Sequence, residues 1–177
     1  MAVNPPWAPQ TIPIWPAGYQ ASTELFNNLG QATLGWLANR FMFRALRVAA
    51  QSISSGTNTV VAYDTIIEDP YQGWATVAAN AWTVPFTGWY EITVGNCVNA
   101  AAVVLSAGVG VTGQYFFFAA SNTANASFQC GVQGTYVVQM NAGTDYIQGL
   151  IFSSQNASTT TSTAGFQPSI EVFFLSQ

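Results

Sequence analysis

The sequence predicts an all-β fold, a jelly-roll sandwich of about eight to ten antiparallel strands, preceded by an extended Pro-rich arm and one short helix. Beyond Phe41 the apolar residues recur with a period of two, in short runs rich in Val, Ile, Phe, Tyr and Thr. Gly, Asn and Ser clusters separate those runs, with no helical pattern between them. Half the residues are hydrophobic while only ten of 177 side chains carry charge, against roughly a quarter in an ordinary soluble domain. A chain with so little polar surface is expected to turn its apolar excess toward other subunits.

The length suits one main domain with an appendage, and the expected division is an anchoring arm and helix over 1–40 and the sandwich over 41–177. Prolines 5, 6, 9, 13 and 16 exclude helix and ladder pairing from the start of the arm. Trp7, Ile12, Ile14, Trp15 and Tyr19 make it too hydrophobic for a solvated linker, so it is expected to lie extended against another protein surface. From Ser22 the period changes: Leu25, Phe26, Leu29, Ala32, Trp36 and Leu37 recur at helical spacing. Ser22 or Thr23 caps this short amphipathic helix, and Glu24 suits the positive end of its dipole.

Every positive charge then falls in one eight-residue stretch, at Arg40, Arg44 and Arg47. These arginines suit the helix C-terminus or the strand that follows it. As part of the anchoring segment, their forked guanidinium groups also match carboxylates on a neighbouring subunit.

Strands are expected near 42–50, 58–65, 80–85, 88–98, 101–106, 114–119, 134–140, 145–153 and 169–175. In Tyr115, Phe116, Phe117 and Phe118 alternation sends two rings to each face, and Phe173 with Phe174 repeats the pattern. Covering each outward ring is worth roughly 1.5 to 3 kcal/mol, an incentive to associate. Residues 153–164, rich in Ser and Thr, read as a polar low-complexity loop.

The same composition excludes much chemistry. There is no lysine and no histidine, which removes histidine triads, histidine metal sites and lysine Schiff bases, and no phosphate-loop spacing is present. Glu68 and Asp69 are adjacent, so in an extended segment they point to opposite faces rather than converging as a carboxylate pair. No enzyme activity and no cofactor are expected. After Val48 there are six acids and no base, a surface that repels phosphate, so nucleic acid is not an expected partner. The most apolar window, 98–111, is too short to span a bilayer, no secretory signal pattern opens the chain, and no membrane insertion is expected. Cys97 and Cys130 are too few for a disulfide framework; two packed thiols or a single bridge between neighbouring strands are both open. Tyr71, Trp74 and Trp82 are candidate sugar-stacking rings, with core packing as the default for rings of this kind.

An ordered set of residues carries a resemblance. Val61, Tyr63 and Asp64 precede Tyr71 and Gly73; Trp82, Val84 and Pro85 follow, then Gly88, Trp89 and Tyr90. Further on come Val138, Met140, Ala142, Gly143, Asp145 and Tyr146, and a closing run from Ile170 to Leu175. Over about 130 residues this order resembles the jelly roll of tumour necrosis factor and the globular heads of the first complement component. Gly88 is then expected to take a turn conformation closed to other residues, with Tyr90, Ile92 and Val94 pointing inward.

The resemblance implies a homotrimer whose axis is lined by aromatic rings, with Tyr115, Phe117, Tyr146, Phe152 and Phe173 as candidates. It also makes Asp64, Glu68, Asp69 and Asp145 conceivable calcium ligands, although their spacing matches no established calcium loop and solvated loop acids are the expectation. The first 50 residues depart from that family. Their Pro and Trp start, and the short helix at Ala21 to Asn28, look like the front ends of virion proteins from tailed phages of actinobacteria.

The function implied is non-enzymatic. The chain would form a trimeric knob on the virion surface, as capsid decoration or a tail tip or fibre component. The arm would bind other virion proteins, and the outer loops would adhere to host surface glycans. A soluble carbohydrate-binding lectin or adhesion ligand of the same fold is the alternative.

Overall fold

The computed structural model describes residues 41–99, 104–122, 130–160 and 167–176. Arm residues Trp7, Ile12, Ile14, Trp15, Tyr19 and Arg40, and the helix expected at 21–28, lie outside the described residues. All described residues belong to the unit Phe41–Gln177.

Among the described residues the chain is all-β. The strands are β1 (Phe41–Leu46), β2 (Ser52–Ile53), β3 (Asn58–Val60), β4 (Thr65–Glu68), β5 (Trp82–Thr83) and β6 (Gly88–Asn99). They continue with β7 (Val104–Val111), β8 (Gln114–Asn122), β9 (Cys130–Met140), β10 (Tyr146–Ser153), β11 (Ala157–Thr159) and β12 (Ser169–Ser176). One sheet runs β9-β6-β12-β1-β4, with β11 and then β2 added where β6 outruns β12. The other runs β8-β7-β10-β3, with β5 beside the start of β10. Every pairing is antiparallel, and the crossovers between the two sheets give the jelly roll its topology.

Alternation builds the core. Along β6, Tyr90, Ile92 and Val94 are fully buried while Trp89, Glu91 and Thr93 face away, as the spacing predicts. Ile170, Val172 and Phe174 of β12 join them, and Leu105, Ala107, Val109, Ile147 and Ile151 close the core from the other sheet. Gly88 opens β6 at φ +156°, where a Cβ would stand 2.3 Å from the Ser176 carbonyl oxygen. Glycine is required there both for conformation and for space.

The sequence-based elements differ from the structure where strands are short or polar. The run expected at 58–65 divides, because the chain leaves the second sheet after Val60 and enters the first at Thr65. The polar segment 153–164 contains β11, whose Thr159 is buried and accepts the Gln51 N–H through its hydroxyl at 2.8 Å. Residues 161–164 of that segment lie outside the described residues. β6 and β9 are neighbours, but Cys97 pairs with Gly131 and Cys130 with Val98, so the two cysteines are one position out of register.

Candidate functional site

Three of the acids expected in solvated loops also fasten those loops, and Asp64 and Glu68 stay exposed. A carboxylate only accepts hydrogen bonds and has lone pairs for several donors, so it suits backbone N–H groups that turns leave unpaired. Asp69 takes the N–H of Gly73 and of Trp74, each at 3.0 Å, and the indole N–H of Trp82 at 2.9 Å. Asp145 accepts from the Asn141 N–H at 2.7 Å and the Thr112 hydroxyl at 3.0 Å. Asp64 accepts from Val48 at 2.8 Å and Ala49 at 2.9 Å, beside Arg47 at 3.1 Å. Glu68 lies exposed on β4. Among the described residues no three His, Cys, Asp or Glu side chains cluster to hold a metal.

Slight burial works to raise the Asp64 carboxyl, but the Val48 and Ala49 N–H groups, then Arg47 and Thr65, hold it below the usual carboxylate value. A depressed folded-state value means that the stabilisation is complete above the unfolded pKa, about 3.9, and is lost as pH falls through the folded value. Replacing Asp64→Asn should therefore flatten the acid limb of stability below about pH 4. Urea midpoints measured from about pH 2 to 6 for both proteins check it; parallel acid limbs would contradict the assignment.

The two described arginines, expected to reach a neighbouring subunit, are engaged within their own chain. Arg44 Nε lies 3.0 Å from Glu171 across the β1–β12 pairing. Arg47 meets Asp64 and donates to the carbonyls of Ala62 at 2.7 Å and Ala50 at 3.0 Å. Both therefore fix local backbone and sheet register.

Of the candidate sugar-stacking rings, Trp82 is fully buried in the core, while part-buried Trp74 stacks on Phe43 at 5.3 Å and part-buried Tyr71 meets Phe86 edge-on at 5.0 Å.

The aromatic run on β8 divides as alternation requires. Phe116 and Phe118 turn inward and stack on Tyr136 of β9, at 5.0 and 6.1 Å, where the two edge strands face each other. Tyr115 and Phe117 turn outward and are 49% and 39% exposed. Register puts Tyr146 and Phe152 on the same outward face, and Phe117 meets Phe152 edge-on at 6.4 Å. Phe173 lies elsewhere, on the outward face of the first sheet, in register with Glu91 and Val137. The five aromatic candidates thus form a group of four on one face and a single ring on the opposite face.

Two glycines and an amide complete the group of four, and sequence reasoning passed over them. Gly108 pairs with Phe117 and Gly110 with Tyr115. A Cβ at Gly108 would meet the Phe117 ring at 2.7 Å, and one at Gly110 would meet Tyr115 and Gln148 at 3.4 Å. The Phe117 ring therefore packs over Gly108 of β7, and the Tyr115 ring reaches over Gly110. Gln148 pairs with Gly110 and ties its amide nitrogen to the Ala79 carbonyl at 3.1 Å. The signal was present as Gly108-Val109-Gly110, two glycines on one face of a strand.

No family model and no curated protein matches the sequence. Solved structures do match the fold. The globular domain of zebrafish complement 1qA protein has a TM-score of 0.54 at 12% identity, covering 76% of this chain and 97% of that one. Murine APRIL at pH 5.0 has 0.55 at 12%, covering 76% and 98%. The PRD1 vertex protein P5 has 0.53 at 13%, covering 77% and 97%. Described strand by strand and by its structural neighbours, the chain carries a jelly roll of the tumour necrosis factor and complement-head type.

Proposed function

We propose that this chain is a non-enzymatic structural protein of a tailed-phage virion, a homotrimeric surface knob serving as capsid decoration or as part of a tail tip or fibre. The observation that carries it is apolar exposure on both outward faces of a sparsely charged sandwich. Trp89 and Val137 are 43% and 47% exposed on one face, and Tyr115 and Phe117 are open on the other. The fold shared with the PRD1 vertex protein supports a place on a virion.

A closed ring of three joins unlike patches of each chain. In this reading the face of Phe173, Trp89 and Val137, which carries Glu91 between Phe173 and Val137 and the Arg44–Glu171 pair beside Phe173, supplies one side of the contact. Aromatic anchors commonly carry much of the energy of such an interface. Residues 1–40, through Trp7, Ile12, Ile14, Trp15 and Tyr19, attach the knob to other virion proteins. The outward aromatic face leaves the particle a surface for adhesion to its host.

Antibody raised against the chain should label intact particles of the phage that encodes it, seen by immunogold microscopy. Protein found only in the soluble lysate, with unlabelled particles, would contradict the proposal.

A further inference from the structure

The outward face of the second sheet has a chemistry of its own. Its described positions are Tyr115 and Phe117 on β8, Ser106, Gly108 and Gly110 on β7, Tyr146, Gln148, Leu150 and Phe152 on β10, and Asn58 and Val60 on β3. None of these is ionisable at neutral pH; Asp145 adjoins the face at its Tyr146 end, tied to the Thr112 hydroxyl, and neither described arginine is on it. A face of that kind offers nothing to a phosphate, a carboxylate or an ammonium group.

The shape is equally particular. The Phe117 ring packs over Gly108 and the Tyr115 ring reaches over Gly110, where a Cβ would meet each of them, and each ring keeps much of its area open to solvent. An aromatic that inserts into a protein pocket stands away from its sheet as a knob. The exposed surface of an aromatic ring includes its π face, whose negative quadrupole attracts weakly positive C–H groups. Tyr115 and Phe117 are two residues apart on one strand, so their centres are set roughly 7 Å apart, about one sugar ring from the next. The Tyr115 and Tyr146 hydroxyls and the Gln148 amide sit around these rings and can meet ligand hydroxyls.

We infer that this face is a binding platform for a neutral saccharide, whose apolar C–H faces stack on Phe117 and Tyr115 while Gln148 and the two tyrosine hydroxyls orient its hydroxyls. The inference rests on the adhesion part of the proposed function and names the ligand class and the residues. Nucleobases also stack on aromatic rings, but a nucleic acid brings phosphates that find no cation on this face.

The test uses the full chain on a printed array carrying neutral, sialylated and uronate-containing glycans, together with its native mass and the ability of labelled protein to attach to host cells. The wild type should bind neutral glycans and spare the charged ones. The double variant Tyr115→Ala/Phe117→Ala should weaken that binding at least tenfold while native mass and β circular dichroism stay unchanged. Tyr115→Phe should lose far less, since stacking survives.

Neutral-glycan binding that survives the double variant would overturn the platform yet leave adhesion standing. So would a silent array combined with firm attachment to host cells. A double variant that falls apart into smaller species would also overturn it, since the face would then be a contact between copies of this chain.

Discussion

Replacing Trp82→Ala should cost about 3 to 5 kcal/mol, a large share of the roughly 5 to 15 kcal/mol that holds an ordinary domain together. The indole is fully buried, stacks on Phe43 at 5.6 Å and meets Tyr90 edge-on at 6.3 Å. Removing it empties the volume between β1, β5 and β6. It also withdraws one of three donors from Asp69, which fastens the loop between β4 and β5.

The same loop supplies the control. Asp69→Ala strands the N–H groups of Gly73 and Trp74 as well as the indole, and each unsatisfied donor that remains buried costs about 1 to 3 kcal/mol. Because the two residues share a hydrogen bond, the double variant should lose less than the sum of the singles. Trp82→Phe keeps the ring stacking and drops the donor, so it should fall between wild type and Trp82→Ala. Urea unfolding midpoints for the four variants check the order. A Trp82→Ala midpoint within experimental error of wild type would contradict the packing.

How much of this was legible in the sequence depends on where each partner lies along the chain. Tyr90, Ile92 and Val94 were readable as core because alternation is local, and Gly88 because a turn glycine announces itself beside Trp89 and Tyr90. The division of Tyr115 to Phe118 into two rings per face was readable for the same reason, but not which pair turns outward. The Asp69 fastening was half-visible: Asp69, Pro70 and Gly73 spell a turn, but nothing local says that Trp82 closes it.

Asp64 was not visible at all. Its donors lie 15 and 16 residues back and are brought to it only when β1 and β4 pair. β11 was hidden because its Ala, Ser and Thr spell a polar loop until Thr159 is seen buried beside β6. The aromatic candidates for the subunit contact were chosen as rings, with no means of telling which face each would occupy. Sheet pairing settles that, placing Phe173 opposite the other four. The glycines beneath Phe117 and Tyr115 gain their meaning only from cross-strand register, which no single strand contains.

The second large effect concerns assembly. Trp89, Val137 and Phe173 lie around Glu91 on the first sheet's outward face, and the exposed Trp89 and Val137 side chains gain when another copy covers them. Each ring or branched side chain so covered returns roughly 1.5 to 3 kcal/mol before the cost of association. Introducing a second carboxylate opposite Glu91, as Val137→Asp, should dissociate the assembly because two like charges would be buried side by side.

The most direct measurement is the mass of the intact chain in solution by light scattering coupled to size exclusion. The proposal expects three times the chain mass of 18.9 kDa for wild type and 18.9 kDa for the folded Val137→Asp variant. A wild-type chain that elutes folded at 18.9 kDa, leaving Trp89 and Val137 open to solvent, would contradict it.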